Sequence, residues 1–156
     1  MRTLNSTLDK KVLQSDGLYL DTQGLKPFEQ YMQSYAARLE AYQQLRDHSP
    51  NLVTYSLKRL GQTYPDLLQK HGQRCQYDMT ELLRYLALSI LRDDEVFFKE
   101  QILSWLDTIL LSHKKNSQCA IAYRYLQEAI NNDLPFSSSL VRPYLDSVIL
   151  ILQSHV

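Results

Sequence analysis

Glycine and proline are both sparse in this chain, at four and five residues respectively. Without runs of either there is no glycine-rich phosphate loop and little of the punctuation that a succession of tight β-hairpins requires. There are two cysteines, Cys75 and Cys119. They lie far apart and match no zinc or redox spacing, which excludes a disulfide framework and fits a reducing compartment. An excess of charge of one sign is missing too, with 17 basic and 17 acidic side chains. The long-range field that draws proteins to nucleic acid or anionic membranes is therefore absent, and no nucleic-acid partner is expected. The most apolar stretches, 82–91 and 148–152, fall short of the ~20 residues that span a bilayer, so no transmembrane segment is expected. No apolar run follows the charged Met1-Arg2 start, so a secretory leader is not expected and the location reads as cytosolic. Nor is there a Ser-His-acid pattern or a His/carboxylate cluster at metal-ligand spacing, which points away from an enzyme.

What is present is helix-forming. The apolar fraction of 44% in 156 residues suffices for one conventional core, and 1–156 reads as a single domain. Leu, Gln, Glu, Ala and Arg dominate, so local propensity favours helix nearly everywhere. Asp16-Gly17 ends a short first amphipathic segment. Asp21 or Thr22 caps a second helix whose apolar and aromatic face runs through Phe28, Tyr31, Met32, Tyr35, Leu39 and Tyr42. His48-Ser49-Pro50 predicts a break, with a third helix beyond it through Leu52, Val53, Leu57 and Leu60 that Gly61 and Tyr64-Pro65 stop. Residues 67–74, which lose period and include Gly72, read as a loop before a long apolar helix from about Cys75 to Arg92. Asp93-Asp94 starts a helix through Val96, Phe97, Ile102, Trp105, Leu106, Ile109 and Leu110, with His113-Lys114-Lys115-Asn116 placing positive charge at its end. Ser117 caps a helix closed by Asn131–Pro135, and a last helix runs from about Ser138 to Gln153. The class is all-α; periodicity alone does not choose between orthogonal helical packings.

Cys75 and Asp78 stand three residues apart and share a helical face with Met79, Leu82 and Leu86. A carboxylate on an apolar stripe is costly unless something donates hydrogen bonds to it, so Asp78 asks for a cationic or N–H-rich partner. A plainer reading has Asp78 near the helix start as a cap, with Cys75 as a small buried hydrophobe.

The string Cys75-Gln76-Tyr77-Asp78-Met79-Thr80-Glu81-Leu82-Leu83-Arg84-Tyr85 resembles the bilin-attachment helix of phycobiliproteins, in its Cys-x-x-Asp start and its Leu-Arg-Tyr continuation. Asp16-Gly17-Leu18-Tyr19-Leu20 resembles the turn after that family's N-terminal helical hairpin, Tyr64-Pro65 its aromatic-Pro stop, and Arg92-Asp93-Asp94 the turn after its attachment helix. Tyr125–Ala129 resembles its penultimate helix more loosely. The resemblance implies an all-α globin-like fold, with an N-terminal helical hairpin over about 1–45 used for subunit pairing and a globin core over about 46–156. It further implies a linear tetrapyrrole (a bilin such as phycocyanobilin) held as a thioether through Cys75. Asp78 would accept from the pyrrole N–H groups, Arg74 would bind a propionate, and Tyr77 and Leu82 would contact the pigment. The partners implied are a second copy in a homodimer or phycobiliprotein subunits, with association to thylakoids through the phycobilisome. The function implied is non-enzymatic, in light harvesting or pigment handling; a lyase-like role in bilin handling stays open.

The pattern also departs from the family. Tyr77 stands where light-harvesting members carry a propionate-binding Arg, the stretch between Tyr64-Pro65 and Cys75 is short, and Trp105 and Ile109 replace side chains of other size, so the cavity is expected to be partly filled. Cys119 matches no second pigment cysteine and reads as a buried thiol. These departures keep a second class alive, a pigment-free adaptor docking on phycobilisome proteins, and the tyrosines of the second helix, Tyr31, Tyr35 and Tyr42, are candidates for such a face. A haem globin is disfavoured, because His48, His71, His113 and His155 read as loop or helix-end residues.

Overall fold

The computed structural model describes residues 5–106 and 116–154, apart from the side chain of Asn116. Among the described residues every regular element is a helix. Helix α1, Ser6–Gln14, is capped by Asn5, whose side chain accepts from the backbone N–H of Thr7 at 2.9 Å and of Leu8 at 3.0 Å. The chain then reverses through Asp16 and Gly17, at φ +48° and +78°. That left-handed step ends the helix where Asp-Gly was expected to, since these residue types tolerate it best. Helix α2, Thr22–Gln33, is capped by Asp21 through Gly24 N–H at 2.7 Å.

The expected second helix is in fact two. Ser34 interrupts it, its hydroxyl donating to the carbonyl of Tyr31 at 3.2 Å and accepting from Arg38 Nε at 2.9 Å, a local alternative to helical bonding. Helix α3 follows as Tyr35–Thr63, 29 residues with Pro50 inside it, so the break expected at His48–Pro50 is absent. Proline removes one helical hydrogen bond, to the carbonyl of Arg46, at a cost of about 3 kcal/mol. Burial of Leu45, Leu52, Val53 and Leu60 along the same helix outweighs that, as packing rather than propensity supplies most helical stability. Gly61 does not stop α3 either. A Cβ there would stand 2.6 Å from Leu68 Cδ1, so this glycine lets the next helix approach.

Only Tyr64 separates α3 from α4, Pro65–Arg92. Pro65 opens the helix, where its missing N–H costs nothing, and the loop expected over 67–74 is helical throughout. Leu67 is buried and Leu68 packs onto the core, and this tertiary packing overrides the weak local pattern and Gly72. Asp93 ends α4 in the left-handed region, at φ +52°. Asp94 caps α5, Glu95–Phe98, which continues as a π-helical turn over Lys99–Leu103 and as helix over 104–106. Ile109, Leu110 and the basic run 113–115 lie outside the described residues. Helix α6, Asn116–Asp133, begins one residue before the expected cap, and α7, Pro135–Ser154, three residues before the expected start.

Helix α3 packs along α4 and also against α6 and α7, and α6 and α7 pack on each other. Leu82, Leu83, Leu86, Leu126, Leu145 and Val148 form the centre, all essentially inaccessible. Helices α1 and α2 bury none of their own residues and are held by polar staples. Asn5 Nδ2 donates to the carbonyls of Arg92 and Asp93 at 3.0 and 2.5 Å. Ser6 donates from N and Oγ to Asp94 at 2.9 and 2.8 Å. The buried Arg38 guanidinium donates to the carbonyls of Leu91 and Tyr31 and lies over the Tyr31 ring at 4.2 Å. Tyr31 and Tyr35 therefore flank a structural cation, while Met32 of the same expected face is exposed. The boundary expected near residue 45 falls inside α3, which crosses it without interruption.

Candidate functional site

The middle of α4 turns Cys75, Asp78 and Met79 toward one small cavity, lined also by Leu60, Leu67, Trp105 and Leu106 and by Cys119, Ala122 and Tyr123 of α6. The i, i+3, i+4 spacing of each triplet puts its members on one helical face. Asp78 is not a cap, because it stands well inside α4. It is mostly buried and takes its cation from one turn back: Arg74 Nε lies 3.0 and 3.1 Å from its two oxygens, and the Arg74 side chain is about half exposed. The partner that a carboxylate on this stripe requires is thus Arg74 itself, on helix rather than loop.

Neither cysteine is in a disulfide, and both are half-buried. Cys119, expected to be an unrelated buried thiol, borders the same cavity as Cys75. Tyr123 is the member that sequence reasoning missed. Burial pushes its hydroxyl well above the ordinary value, and the nearby Cys119, Asp78 and Cys75 push it the same way, so it stays a neutral phenol. Nothing local marks it; only the fold brings α6 opposite α4.

Two expected site residues fall elsewhere. Leu82 is fully buried in the central core and does not line the cavity; it shares the face of Cys75 but sits about two turns further along α4. Tyr77 is largely exposed and lines a separate open groove of about 340 Å³ with Glu81, Tyr85, Gln101, Ile102 and Trp105. Trp105 belongs to the walls of both. The histidine expectation is corrected in part: His48 and His71 are inside α3 and α4, not in loops, and neither lines this cavity. His113 and His155 lie outside the described residues.

The space decides what the constellation can hold. The cavity measures about 40 Å³, close to the roughly 30 Å³ that one water occupies in the liquid and far below the roughly 300 Å³ at which small-molecule pockets begin. The donor set suits a linear tetrapyrrole, with a thiol, a carboxylate and a guanidinium together, but the volume does not. Trp105, Tyr123, Met79 and Leu67 are among the large side chains that line it.

Compared with known families, residues 11–152 match the model of the phycobilisome proteins, a class whose all-α globin-like architecture agrees with the helices described above. The chain belongs to the phycobilisome protein family. No curated protein matches it. Membership ties the chain to phycobilisome light harvesting, in a family whose members typically carry bilins and assemble with other phycobiliprotein subunits. No helix among the described residues is long and apolar enough to cross a membrane.

Proposed function

We propose that this protein is a pigment-free accessory protein of the phycobilisome, an adaptor that uses the family's fold to dock on phycobiliprotein subunits and carries out no catalysis. The observation that carries this reading is the small size of the cavity at Cys75 and Asp78, about 40 Å³, with Trp105 and Tyr123 in its lining. Asp78 is already satisfied by Arg74, so no pigment N–H is needed to offset its burial.

The docking part in this reading is the N-terminal hairpin up to about residue 45, with the remainder of 1–156 as a globin core in the same single domain. Leu13, Leu18, Tyr19 and Met32 are strongly exposed there, and large exposed side chains with aromatic members are what interface centres use. The reading places the protein in the cytosol, at the phycobilisome.

A second reading keeps the bilin, because Cys75 and Asp78 line one cavity and Arg74 pairs with Asp78. One experiment separates the two. The protein is made in cells that synthesise phycocyanobilin, purified, and examined by absorption and by zinc-stained denaturing electrophoresis. It is then sedimented with purified phycobiliproteins beside a Leu18→Glu/Tyr19→Glu variant. The adaptor reading expects a colourless protein that co-sediments, and loss of co-sedimentation in the variant. A covalent visible band that disappears in Cys75→Ala overturns it in favour of the pigment carrier.

A further inference from the structure

A second cavity lies between α3 and α4, on a different face of α4 from Cys75 and Asp78. It measures about 270 Å³ and its lining includes Tyr42, Leu45, Pro50, Leu83 and Ala87. Leu45, Leu83 and Ala87 are almost wholly buried and lie beneath the floor, and the apolar surface the cleft offers comes from Tyr42 and Pro50. The cleft is near the size at which small-molecule pockets begin, roughly 300 Å³, and several times the cavity at Cys75.

Its origin is legible in the chain. Pro50 sits inside α3, where it cannot donate to the carbonyl of Arg46, and both residues line the cleft. From α4 the lining includes two small side chains, Thr80 and Ala87.

Two guanidiniums stand at the mouth, each paired with a neighbouring carboxylate. Arg46 and Arg84 line the cleft, whereas the carboxylates they pair with, Asp47 at 2.7 Å and Glu81 at 2.6 Å, do not. All four side chains of these pairs are partly or largely exposed, and such pairs contribute so little that a competing anion exchanges for them readily. An apolar floor with two guanidiniums at its rim selects a molecule with an apolar body and an anionic head, for which arginine forks are well suited.

We infer that the α3–α4 cleft is a binding site for a small amphiphilic carboxylate, seated with its chain against Tyr42 and Pro50 and its head between Arg46 and Arg84. The site is independent of the cavity at Cys75 and of the adaptor reading.

The test is calorimetric titration of the full chain with decanoate, with decanol as the uncharged control. The expected result is saturable one-to-one binding of decanoate, weaker binding of decanol, and the same decanoate affinity in Cys75→Ala. Arg46→Gln/Arg84→Gln should bind decanoate roughly tenfold more weakly, about what two exposed ion pairs supply together, and should lose the preference over decanol. Thr80→Trp, a change at an exposed position that fills the cleft from its mouth, should abolish binding while circular dichroism shows the helices intact. No saturable binding, equal binding of decanoate and decanol, or unchanged binding in either variant overturns the inference.

Discussion

Asp94 joins three parts of the molecule with one side chain, which makes its replacement by alanine the sharpest test of how the N-terminal helices are held. It caps α5 through Phe97 N–H at 3.0 Å, accepts from Ser6 N and Oγ, and pairs with Arg92 at 3.2 Å, with only 1% of its side chain exposed. Loss of the cap costs about 1 kcal/mol, and hydrogen bonds to a charged group contribute about 1.5–3 kcal/mol each. Those terms are not additive, and removing the carboxylate also relieves its own desolvation, so the expected loss is about 3 kcal/mol, near the lower limit for breaking a buried pair. Arg92 adds to the cost, because its Nε is already buried without a partner. Urea unfolding followed by far-UV circular dichroism measures the difference.

The same side chain sets a pH dependence. Burial pushes the Asp94 carboxyl up, but the N–H groups of Phe97 and Ser6, the Ser6 hydroxyl and Arg92 together outweigh it and hold the group below its usual value. The unfolded chain therefore takes up this proton at a higher pH than the folded one. The stabilisation is fully present above the unfolded value of about 3.9 and is lost as pH falls through the folded value. The stability gap between the parent and Asp94→Ala should stay constant from about pH 5 to 8 and shrink below about pH 4. A loss under about 1 kcal/mol at neutral pH, or a gap that does not narrow in acid, would refute the argument.

Leu82→Ala should cost about 2–5 kcal/mol in the same unfolding assay, the range for emptying a fully buried leucine site, and a cost under about 1 kcal/mol would place this residue at a ligand wall rather than in the core. Gly61→Ala should stay within about 1 kcal/mol of the parent in thermal melts, because the contact it creates is with the movable end of Leu68 and alanine gains about 1 kcal/mol in helix propensity. Gly61→Leu has no such room, and overpacking of this kind should lower stability by about 1–3 kcal/mol.

The chain's stops were legible where backbone chemistry alone decides them. Asp16-Gly17 adopts the left-handed step it suggested, Asp21 caps, Tyr64-Pro65 divides two helices, and Asp93-Asp94 ends one helix and starts the next. The misjudged positions are those where packing overrides local preference. Pro50 and Gly72 are both tolerated inside helices because leucines around them are buried by a neighbour many residues away. The placement of Cys75 and Asp78 on one face followed from helical spacing, whereas the Arg74–Asp78 pair did not, because residues 67–74 read as a loop. Spacing gives angle about the helix axis, not depth along it, so Leu82 shared the face without sharing the cavity. Tyr123 and Cys119 carried no signal at all, since nothing in α6 reveals that it lies opposite α4.

Trp105, the only tryptophan in the chain, is a wall shared by the closed cavity and the open groove beside Tyr77. Indole emission from this protein, excited beyond the absorption of its tyrosines, therefore originates at a single known place. A change in colour or intensity of that emission, on partner docking or on heating, reports the state of the partition between the two spaces and is not averaged over other indoles, so the protein carries its own optical gauge beside Cys75 and Asp78.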